Sequence, residues 1–518
     1  MIFITCFIKV TLNTMKRFLP PIILLLLFVY EKSTAQLYHE QYRPQIHFSP
    51  KEHWMNDPNG MVFYNGVYHL FFQYYPGASV WGPMHWGHAT SPDLIHWKEQ
   101  PVALYPDKIG YIFSGSVVVD SNNTSGFGSK NNPPLIAIFT QHDTAGEHAH
   151  TTTFQNQSIA YSNDAGKTWT KYKDNPVLKS TTIADFRDPK VMWFADEHEW
   201  IMTLTVKDHI EFYSSPDLKN WTKQSEFGKD AGVHSGVWEC PDLFSFNDND
   251  KKVWALTVSI GSGAPNGGSG TQYFLGDFDG KTFSPYNNTV KWIDYGPDDY
   301  AGVTWSNTND RKIFLGWMSN WDYAQLVPTQ PWRSAMTLPR NLNLMHVDNE
   351  IYIASKPVVE SNSIVKAPQA IQYIPVNKQV DLSQQLKDFQ LPCKMDFNVK
   401  EARSFSLTLA NEKNEMLVIG YDEVQKHFYI NRTKSGEADF QQTFSKENYA
   451  PRISTSNNIH LTLIADVSSI ELFADDGLSV MTEIYFSSTP FNKIQFQSND
   501  NIEINNFSYA PFKSIWNR

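Results

Sequence analysis

The sequence predicts an all-β protein, with an N-terminal β-propeller and a C-terminal β-sandwich. Short apolar and aromatic runs alternate with turn residues along the 518 residues, and no long segment has helical periodicity. The turn pattern Ser-x-Asp followed by Trp occurs three times, and a degenerate copy follows, at residues 91–97, 162–169, 215–221 and 279–283. The spacing of about 50–70 residues fits four-stranded blades. After roughly residue 345 the strands alternate more regularly, which indicates a separate module.

The first 36 residues are typical of an export signal. A basic pair, Lys16-Arg17, precedes an apolar run at 18–29, and small residues at 33–35 offer a cleavage site before Gln36. The run is too short for a good membrane span, and Met15 is a second candidate start. We therefore expect an exported protein, periplasmic or extracellular, that is not inserted in a membrane. Because the cleavage site has no cysteine, we expect no lipid anchor there.

Composition argues against several classes of function. The net charge of -11 disfavours a nucleic-acid partner. No P-loop, dinucleotide fingerprint or zinc spacing occurs, so we expect no metal and no organic cofactor. The three cysteines, Cys6, Cys240 and Cys393, do not form a disulfide framework. Aromatic residues make up 14% of the chain, which suits both sugar stacking and ordinary β-sheet cores.

The motif WMNDPNG at residues 54–60 holds a carboxylate between an amide and a Pro-Asn-Gly turn. Pro58 restricts the backbone of Asp57, and Asn59-Gly60 is a strong turn pair. Two interpretations are open: the turn aims Asp57 at a reacting atom, or Asp57 only caps the turn.

Two further carboxylates stand in similar surroundings. Asp188 lies between Arg187 and a proline, and Glu239 lies beside Trp238 and just before another proline. Residues so far apart in the chain converge only at the centre of a closed fold. Two converging carboxylates are the minimum for glycoside hydrolysis.

In their order and spacing, WMNDPNG, FRDP at 186–189 and WECPD at 238–242 resemble glycoside hydrolase family 32, the family of invertases, levanases and inulinases. The segments 71–76, 113–116 and 317–321 support the resemblance, which runs from about Arg43 to the C-terminus. It implies that the propeller has five blades.

The resemblance also implies catalytic roles. Asp57 is expected to be the nucleophile and Glu239 the general acid and base, buried beside Trp238, in a retaining reaction with the carboxyls about 5–5.5 Å apart. Asp188 is expected to accept hydrogen bonds from ring hydroxyls, oriented by Arg187.

Other residues are expected to contact the substrate. Those expected around a terminal fructose are Asn56, Gln73, Trp81, Phe113, Ser114, Arg187 and Trp317. Core packing is the alternative for each aromatic residue. Candidates on the leaving-group side are Trp321, Asp322 and Gln325.

We expect the catalytic propeller at 37–350, a linker at 351–370 and the sandwich at 371–518, where 475–477 is a hairpin turn signal. The sandwich is expected to be structural, with accessory carbohydrate contact as the alternative. The predicted function is exo-acting hydrolysis of terminal β-D-fructofuranosyl residues from levan, inulin or sucrose. The alternatives are an endo-levanase of the same family, a fructosyltransferase, an arabinosidase with the same kind of propeller and a non-catalytic fructan-binding propeller.

Overall fold

The computed structural model describes residues 38–516, so the predicted export signal lies outside it. Six β-sheets account for most of this range, which confirms the all-β prediction. In the described range, helical structure amounts to one short α-helix, α1 (Thr144–His148), and single 3-10 turns at Val359–Ile364, Lys400–Ala402 and Asp475–Gly477. Among these residues no helix has the length and apolar character needed to cross a membrane.

Five sheets form the blades of a propeller, as predicted. Blade I contains β1 (His53–Tyr64), β2 (Val67–Tyr75), β3 (His85–Ser91) and β4 (Lys98–Leu104). Blade II contains β5 (Tyr111–Val119), β6 (Leu135–His142), β7 (Gln155–Ser162), β8 (Thr170–Lys171) and β9 (Leu178–Lys179). Blade III contains β10 (Phe186–Phe194), β11 (Glu199–Val206), β12 (His209–Ser215) and β13 (Thr222–Phe227).

The last two blades carry additional short strands. Blade IV contains β14 (Trp238–Asp248), β15 (Lys251–Ile260), β16 (Gly270–Phe278), β17 (Phe283–Pro285) and β18 (Lys291–Trp292). Blade V is built from β19 (Tyr300–Thr304), β20 (Lys312–Met318), β22 (Ala335–Met336), β23 (Arg340–Val347) and β24 (Glu350–Pro357). The remaining short strand, β21 (Trp332–Arg333), pairs in parallel with β1 of blade I.

The Ser-x-Asp repeat marks the same turn in successive blades. It lies between the third and fourth strands of blades I, II and III, and its degenerate copy occupies the equivalent turn of blade IV. In blade I the Ser91 hydroxyl donates to Asp93 at 3.0 Å, and Asp93 accepts the backbone N–H of His96 at 2.8 Å. The serine and aspartate therefore satisfy backbone groups that the turn leaves unpaired.

The inner strands β1, β5, β10, β14 and β19 form a closed ring around the axis. Each contacts the next, and β19 contacts β1. The Ser306 N–H donates to the Met61 carbonyl at 2.9 Å, and the Phe63 N–H donates back to the Ser306 carbonyl at 3.0 Å. These bonds join the last blade to the first, so residues far apart in sequence meet at the axis.

The C-terminal module is a ten-stranded sheet folded around one apolar core, consistent with the predicted sandwich. Its strands are β25 (Gln369–Asp381), β26 (Cys393–Val399), β27 (Phe405–Ala410), β28 (Met416–Asp422), β29 (His427–Lys434), β30 (Glu447–Pro451), β31 (Ile459–Ala465), β32 (Ser469–Ala474), β33 (Ser479–Ile484) and β34 (Lys493–Pro511). Strand β34 pairs with β25, β26 and β27, and the predicted turn at 475–477 joins β32 to β33.

The predicted linker at 351–370 is too long. Residues 350–357 form β24, which pairs with β23 along its whole length and buries Ile353 and Ala354. Strand β25 already begins at Gln369. The Ser-Lys-Pro end of this strand reads as part of a loose polar stretch, and β24 buries only three of its eight side chains. The connection between the modules is therefore residues 358–368.

Buried charges join the two modules. His47 of the propeller lies between two sandwich carboxylates, at 2.8 Å from Asp466 Oδ2 and 2.8 Å from Glu471 Oε1. Arg340 of blade V contacts Glu471 with Nε at 3.0 Å and contacts Asp299 at 3.0 Å. Buried ion pairs are costly to break because the remaining charge has no water. The modules are therefore held in one arrangement.

His47 predicts a specific dependence of stability on pH. Burial alone would lower the pKa of His47, but its hydrogen bonds to the carboxylates of Asp466 and Glu471 outweigh burial and raise the pKa to about 9. The folded protein keeps this proton while the unfolded chain loses it near pH 6.5. The stabilisation is complete below that pH and is lost as the pH rises to about 9, by up to about 3 kcal/mol.

We therefore expect His47→Gln to unfold at a lower temperature than the parent protein at pH 6.5, and the difference to shrink towards pH 9. Thermal unfolding followed by circular dichroism at several pH values measures this. His346→Gln is the matched control, because its side chain is 54% exposed. A difference that stays constant between pH 6.5 and 9 would contradict the assignment of a charged His47.

Candidate active site

Each inner strand shifts its register against the next strand of its blade at one end of the axis, and β1 shifts a second time, between residues 59 and 62. The register shifts fall between residues 56 and 58 in β1, 112 and 115 in β5, 187 and 190 in β10, 239 and 242 in β14, and 300 and 303 in β19. A bulge turns one side chain out of the regular alternation. Each inner strand has one of the following polar residues at its break: Asp57, Ser114, Asp188, Glu239 and Tyr300.

Asp57 is held by hydrogen bonds on both carboxylate oxygens. Asn56 donates to Oδ1 at 2.9 Å, and the Ser114 hydroxyl donates to Oδ2 at 3.0 Å. The Trp54 indole N–H donates to Asn56 at 2.7 Å and fixes that amide. The whole WMNDPNG motif lies within β1, so the predicted turn is instead a doubly bulged strand. The carboxylate is nevertheless fixed in one direction.

Asp188 and Cys240 adopt left-handed backbone conformations, with φ of 64° and 46°. Such residues cost roughly 1–3 kcal/mol each and persist only where neighbours hold them. The Asp188 N–H donates to the Thr140 hydroxyl at 2.9 Å, and the Cys240 N–H donates to Asp188 Oδ2 at 3.0 Å. The thiol of Cys240 lies 3.6 Å from Asp57 Oδ2, so it packs between the two aspartates.

Glu239 faces three hydrogen-bond donors. Arg187 donates to Oε1 from Nε at 3.2 Å and from Nη2 at 3.1 Å, and the Tyr300 hydroxyl donates to Oε2. The expected burial of Glu239 against Trp238 is not found. The Trp238 ring packs on Phe274 in the core of blade IV, because neighbouring strand residues point to opposite faces.

Burial and neighbouring charges raise the pKa of two of the three carboxyl groups towards neutral pH. Burial, and then the charge of Glu239, raise the pKa of Asp57 to about 6, against the hydrogen bonds from Asn56 and Ser114. Burial also raises the pKa of Asp188 to about 7 against the charge of Arg187, and the charges of Glu239 and Asp57 add to the rise. The three carboxyl groups have one neighbouring guanidinium, Arg187, which is also paired with Asp185, so full ionisation is unfavourable. Acid and base forms can therefore coexist here.

These side chains line a cavity of about 250 Å³. Its walls include the three carboxylates and Asn56, Gln73, Trp81, Phe113, Ser114, Arg187 and Trp321. The buried amide nitrogen of Gln73 has no partner among the described residues and is free to donate to a ligand.

Trp317 differs from its expected role as a wall of the sugar site. It is fully buried behind the cavity, with its ring 4.9 Å from that of Trp321 and 6.0 Å from that of Trp54. Trp321 takes the wall position. Asp322 and Gln325 are not among the lining residues, although Gln325 accepts the Trp81 N–H at 3.3 Å.

Several residues of the site were missed from the sequence: Tyr300, His142, Glu147, Gln155 and Asp185. The internal symmetry of the propeller offers a signal for Tyr300, because it stands at the register break of the fifth inner strand. The other four line the cavity beside Arg187 without a Pro or Trp motif of their own.

A larger cavity, of about 440 Å³, lies at the other end of the axis. Its buried carboxylate, Asp242, is paired with Lys190 at 3.0 Å and accepts the Thr304 N–H at 2.6 Å. These contacts connect blades III, IV and V. The other lining carboxylate, Asp196, is exposed, so this cavity lacks the converging pair that glycoside hydrolysis requires.

Metal-ligand residue types also meet in blade III, where His209, Glu211 and Glu226 lie together. Lys223 forms ion pairs with both glutamates, the one with Glu226 at 3.2 Å. The lysine ammonium therefore already supplies the positive charge that a cation would bring.

Comparisons with known proteins agree with this geometry. The family model described as Glycosyl hydrolases family 32 N-terminal domain matches residues 47–357, and that described as Glycosyl hydrolases family 32 C terminal matches 360–511. A levanase from Bacillus subtilis (strain 168) is 43% identical over 509 residues, covering 96% of this chain and 74% of the levanase. An extracellular exo-inulinase from Aspergillus ficuum is 38% identical over 487 residues, covering 87% of this chain and 90% of the inulinase. The crystal structure of exo-inulinase from Aspergillus awamori has a TM-score of 0.85 and 34% identity, covering 92% of this chain and 100% of that chain.

The surroundings of the cysteines predict that neither thiol reacts in the folded protein. Cys240 and Cys393 are both buried. Burial, and then the charges of Asp188 and Asp57, raise the pKa of Cys240 well above its ordinary value, and burial also raises the pKa of Cys393. A thiolate-selective reagent at pH 8, applied to protein starting at Gln36, should titrate both thiols only after denaturation. Rapid modification of Cys240 in the native protein would contradict this placement.

Proposed function

The chain belongs to glycosyl hydrolases family 32 and is a glycoside hydrolase, and we propose that it is an exo-acting, retaining β-fructosidase releasing terminal β-D-fructofuranosyl units from levan, inulin and sucrose. The observation that carries the proposal is the pair Asp57 and Glu239. They come from different blades and face one cavity, each with its own hydrogen-bond donors. Two carboxyls in different surroundings can serve as nucleophile and acid.

In the first step an Asp57 oxygen bonds to the anomeric carbon of the fructosyl unit. The bond from that carbon to the leaving-group oxygen breaks, and the oxygen takes a proton from Glu239. Asn56 and Ser114 keep Asp57 oriented without needing to move. The product of this step is a fructosyl ester on Asp57 and a free leaving group.

In the second step Glu239 takes a proton from water, whose oxygen bonds to the anomeric carbon as the ester breaks. Tyr300 suits both steps, because a hydroxyl donates to a carboxylate and accepts from a carboxylic acid. Burial, and then the charge of Glu239, raise the pKa of Tyr300 well above its ordinary value, so the hydroxyl keeps its proton. Two displacements at one carbon retain its configuration.

Polar groups around the carboxylates are proposed to bind the fructosyl ring. The free amide hydrogens of Gln73 and the carboxylate of Asp188 face the cavity and complement ring hydroxyls. Trp81 and Trp321, which both line the cavity, provide flat apolar surfaces. The interaction between Asp188 and the ring would strengthen as positive charge develops on the ring in the transition state.

The shape of the cavity favours exo action. A volume of about 250 Å³ is below the roughly 300–1,000 Å³ typical of sites for drug-sized ligands, which suits a single sugar ring. Lys190, Asp242 and Thr304 fill the axis below the carboxylates. A blind pocket accepts a chain end, whereas an endo-levanase needs an open cleft. The intact set of Asp57, Asp188 and Glu239 argues against a non-catalytic binding propeller.

Export is proposed from the leader-like residues 1–36 and from the extracellular inulinase that resembles this chain. The substrates support this, since levan and inulin are polymers. The proposed location is periplasmic or extracellular, without a lipid anchor at the cleavage site.

The proposal predicts the product profile. Protein starting at Gln36, incubated separately with levan, inulin and sucrose, should release fructose as the only early product from each fructan, resolved by chromatography. Asp57→Asn should lower the rate at least about 10³-fold, because an amide is a poor nucleophile. Asp310→Asn, an exposed position, is the matched control and should keep full activity.

An early ladder of oligosaccharides from levan would establish endo action instead. No fructose from any of the three substrates, or full activity in Asp57→Asn, would overturn the proposed function or the role of Asp57.

A further inference from the structure

A row of hydrogen-bonded side chains runs from the partner of Glu239 to the rim of the cavity. Arg187 Nη1 lies 3.4 Å from Gln155 Oε1, Gln155 Nε2 lies 3.2 Å from His142 Nδ1, and His142 Nε2 lies 3.1 Å from Glu147 Oε2. Gln155 and His142 are buried, whereas the Glu147 side chain is 49% exposed. The row connects the solvent-facing helix α1 to the centre of the site.

The direction of every bond in this row is fixed. Gln155 Oε1 also accepts the Phe186 N–H at 3.0 Å, so the amide oxygen faces Arg187 and the NH₂ group faces His142. His142 Nδ1 must then accept, and the ring hydrogen sits on Nε2 and donates to Glu147. Burial lowers the pKa of His142, which keeps the ring neutral with this single hydrogen.

Glu147 is the group that selects this arrangement. Without an acceptor at Nε2, the His142 hydrogen can move to Nδ1, and Gln155 must then turn its amide oxygen towards the ring. The turned amide would present NH₂ to both the Phe186 N–H and Arg187, so two favourable contacts would become donor against donor. Nη1 of Arg187 would lose its contact with Gln155, and only Asp185, at 2.7 Å, would still accept a hydrogen bond from Nη1.

We propose that Glu147, His142 and Gln155 are positioning residues that hold the Arg187 guanidinium against Glu239. This inference rests on the proposed function, because it treats Glu239 as the proton donor to the leaving group. It assigns a role in the reaction to a helix that carries none of the sequence motifs.

Protonation of His142 would break the row. The charged groups facing the ring are Glu147 and Asp143 from its own loop and Arg187 from β10, and Tyr111 of β5 places its ring beside it. A protonated His142 ring donates from both nitrogens, so the NH₂ group of Gln155 no longer has an acceptor at Nδ1. The row is therefore intact at neutral pH and is lost in acid.

The test compares a substrate that needs an acid with one that does not. Sucrose requires a proton on its leaving oxygen, whereas β-D-fructofuranosyl fluoride loses fluoride without one, and kcat/KM reports only this first step. We expect Glu147→Ala to lower kcat/KM for sucrose about tenfold, the size of effect seen when supporting residues are lost. The value for the fluoride should stay within about twofold of the parent value.

Two further variants separate positioning from general damage. Glu147→Gln keeps an oxygen that accepts the His142 hydrogen, so it should restore most of the sucrose activity. His148→Ala alters an exposed neighbour on α1 and should match the parent protein. The thermal midpoint of each variant checks that it is folded.

Parent-like sucrose activity in Glu147→Ala, or an equal loss on both substrates, would overturn the positioning role. The first result would mean that the row does not affect the reaction. The second would mean that Glu147 contacts the substrate directly. A parent protein that releases no fructose from either substrate would instead refute the proposed function itself.

Discussion

The structure depends on one constraint: the five inner strands must close into a ring, although each strand has a register shift near the same end of the axis. The breaks direct side chains into the axis, and two of them place Asp188 and Cys240 in left-handed conformations. Hydrogen bonds from neighbouring blades hold that strain, as between the Asp188 N–H and Thr140. The cavity therefore exists only when all blades are in place, and its carboxylates are oriented before any ligand arrives.

The sandwich supports this ring from outside. Arg340 binds Glu471 of the sandwich and Asp299 of the propeller, and the next residue, Tyr300, reaches Glu239. Arg432 of the sandwich binds Asp298, the residue before Asp299, at 2.7 Å. The start of the fifth inner strand is thus clamped by buried charges from the second module. This gives the sandwich a physical role in the geometry of the acid, in addition to covering apolar surface.

Sequence patterns predicted the blades and the three carboxylates because both depend on local chemistry. The Ser-x-Asp turns satisfy their own backbone, and Pro or Trp residues flank each carboxylate. Tyr300 has no such flanking motif, and its role appears only when the five inner strands are compared. Trp317 was predicted to contact the sugar, but Trp54 and Trp321 cover its ring, and a local pattern does not show such contacts between distant residues. The row from Glu147 to Arg187 joins residues of two blades, so local patterns could not reveal it.

The most direct measurement is to trap the ester on Asp57. Glu239→Ala, mixed with β-D-fructofuranosyl fluoride, can complete the first step without an acid but lacks the base for the second. Rapid acid quenching, pepsin digestion and mass spectrometry should then find a hexosyl adduct on the peptide containing residues 54–60, with fragmentation placing it on Asp57. Consumption of the fluoride with no adduct, or an adduct on another residue, would contradict the account of a ring that aims Asp57 at the anomeric carbon.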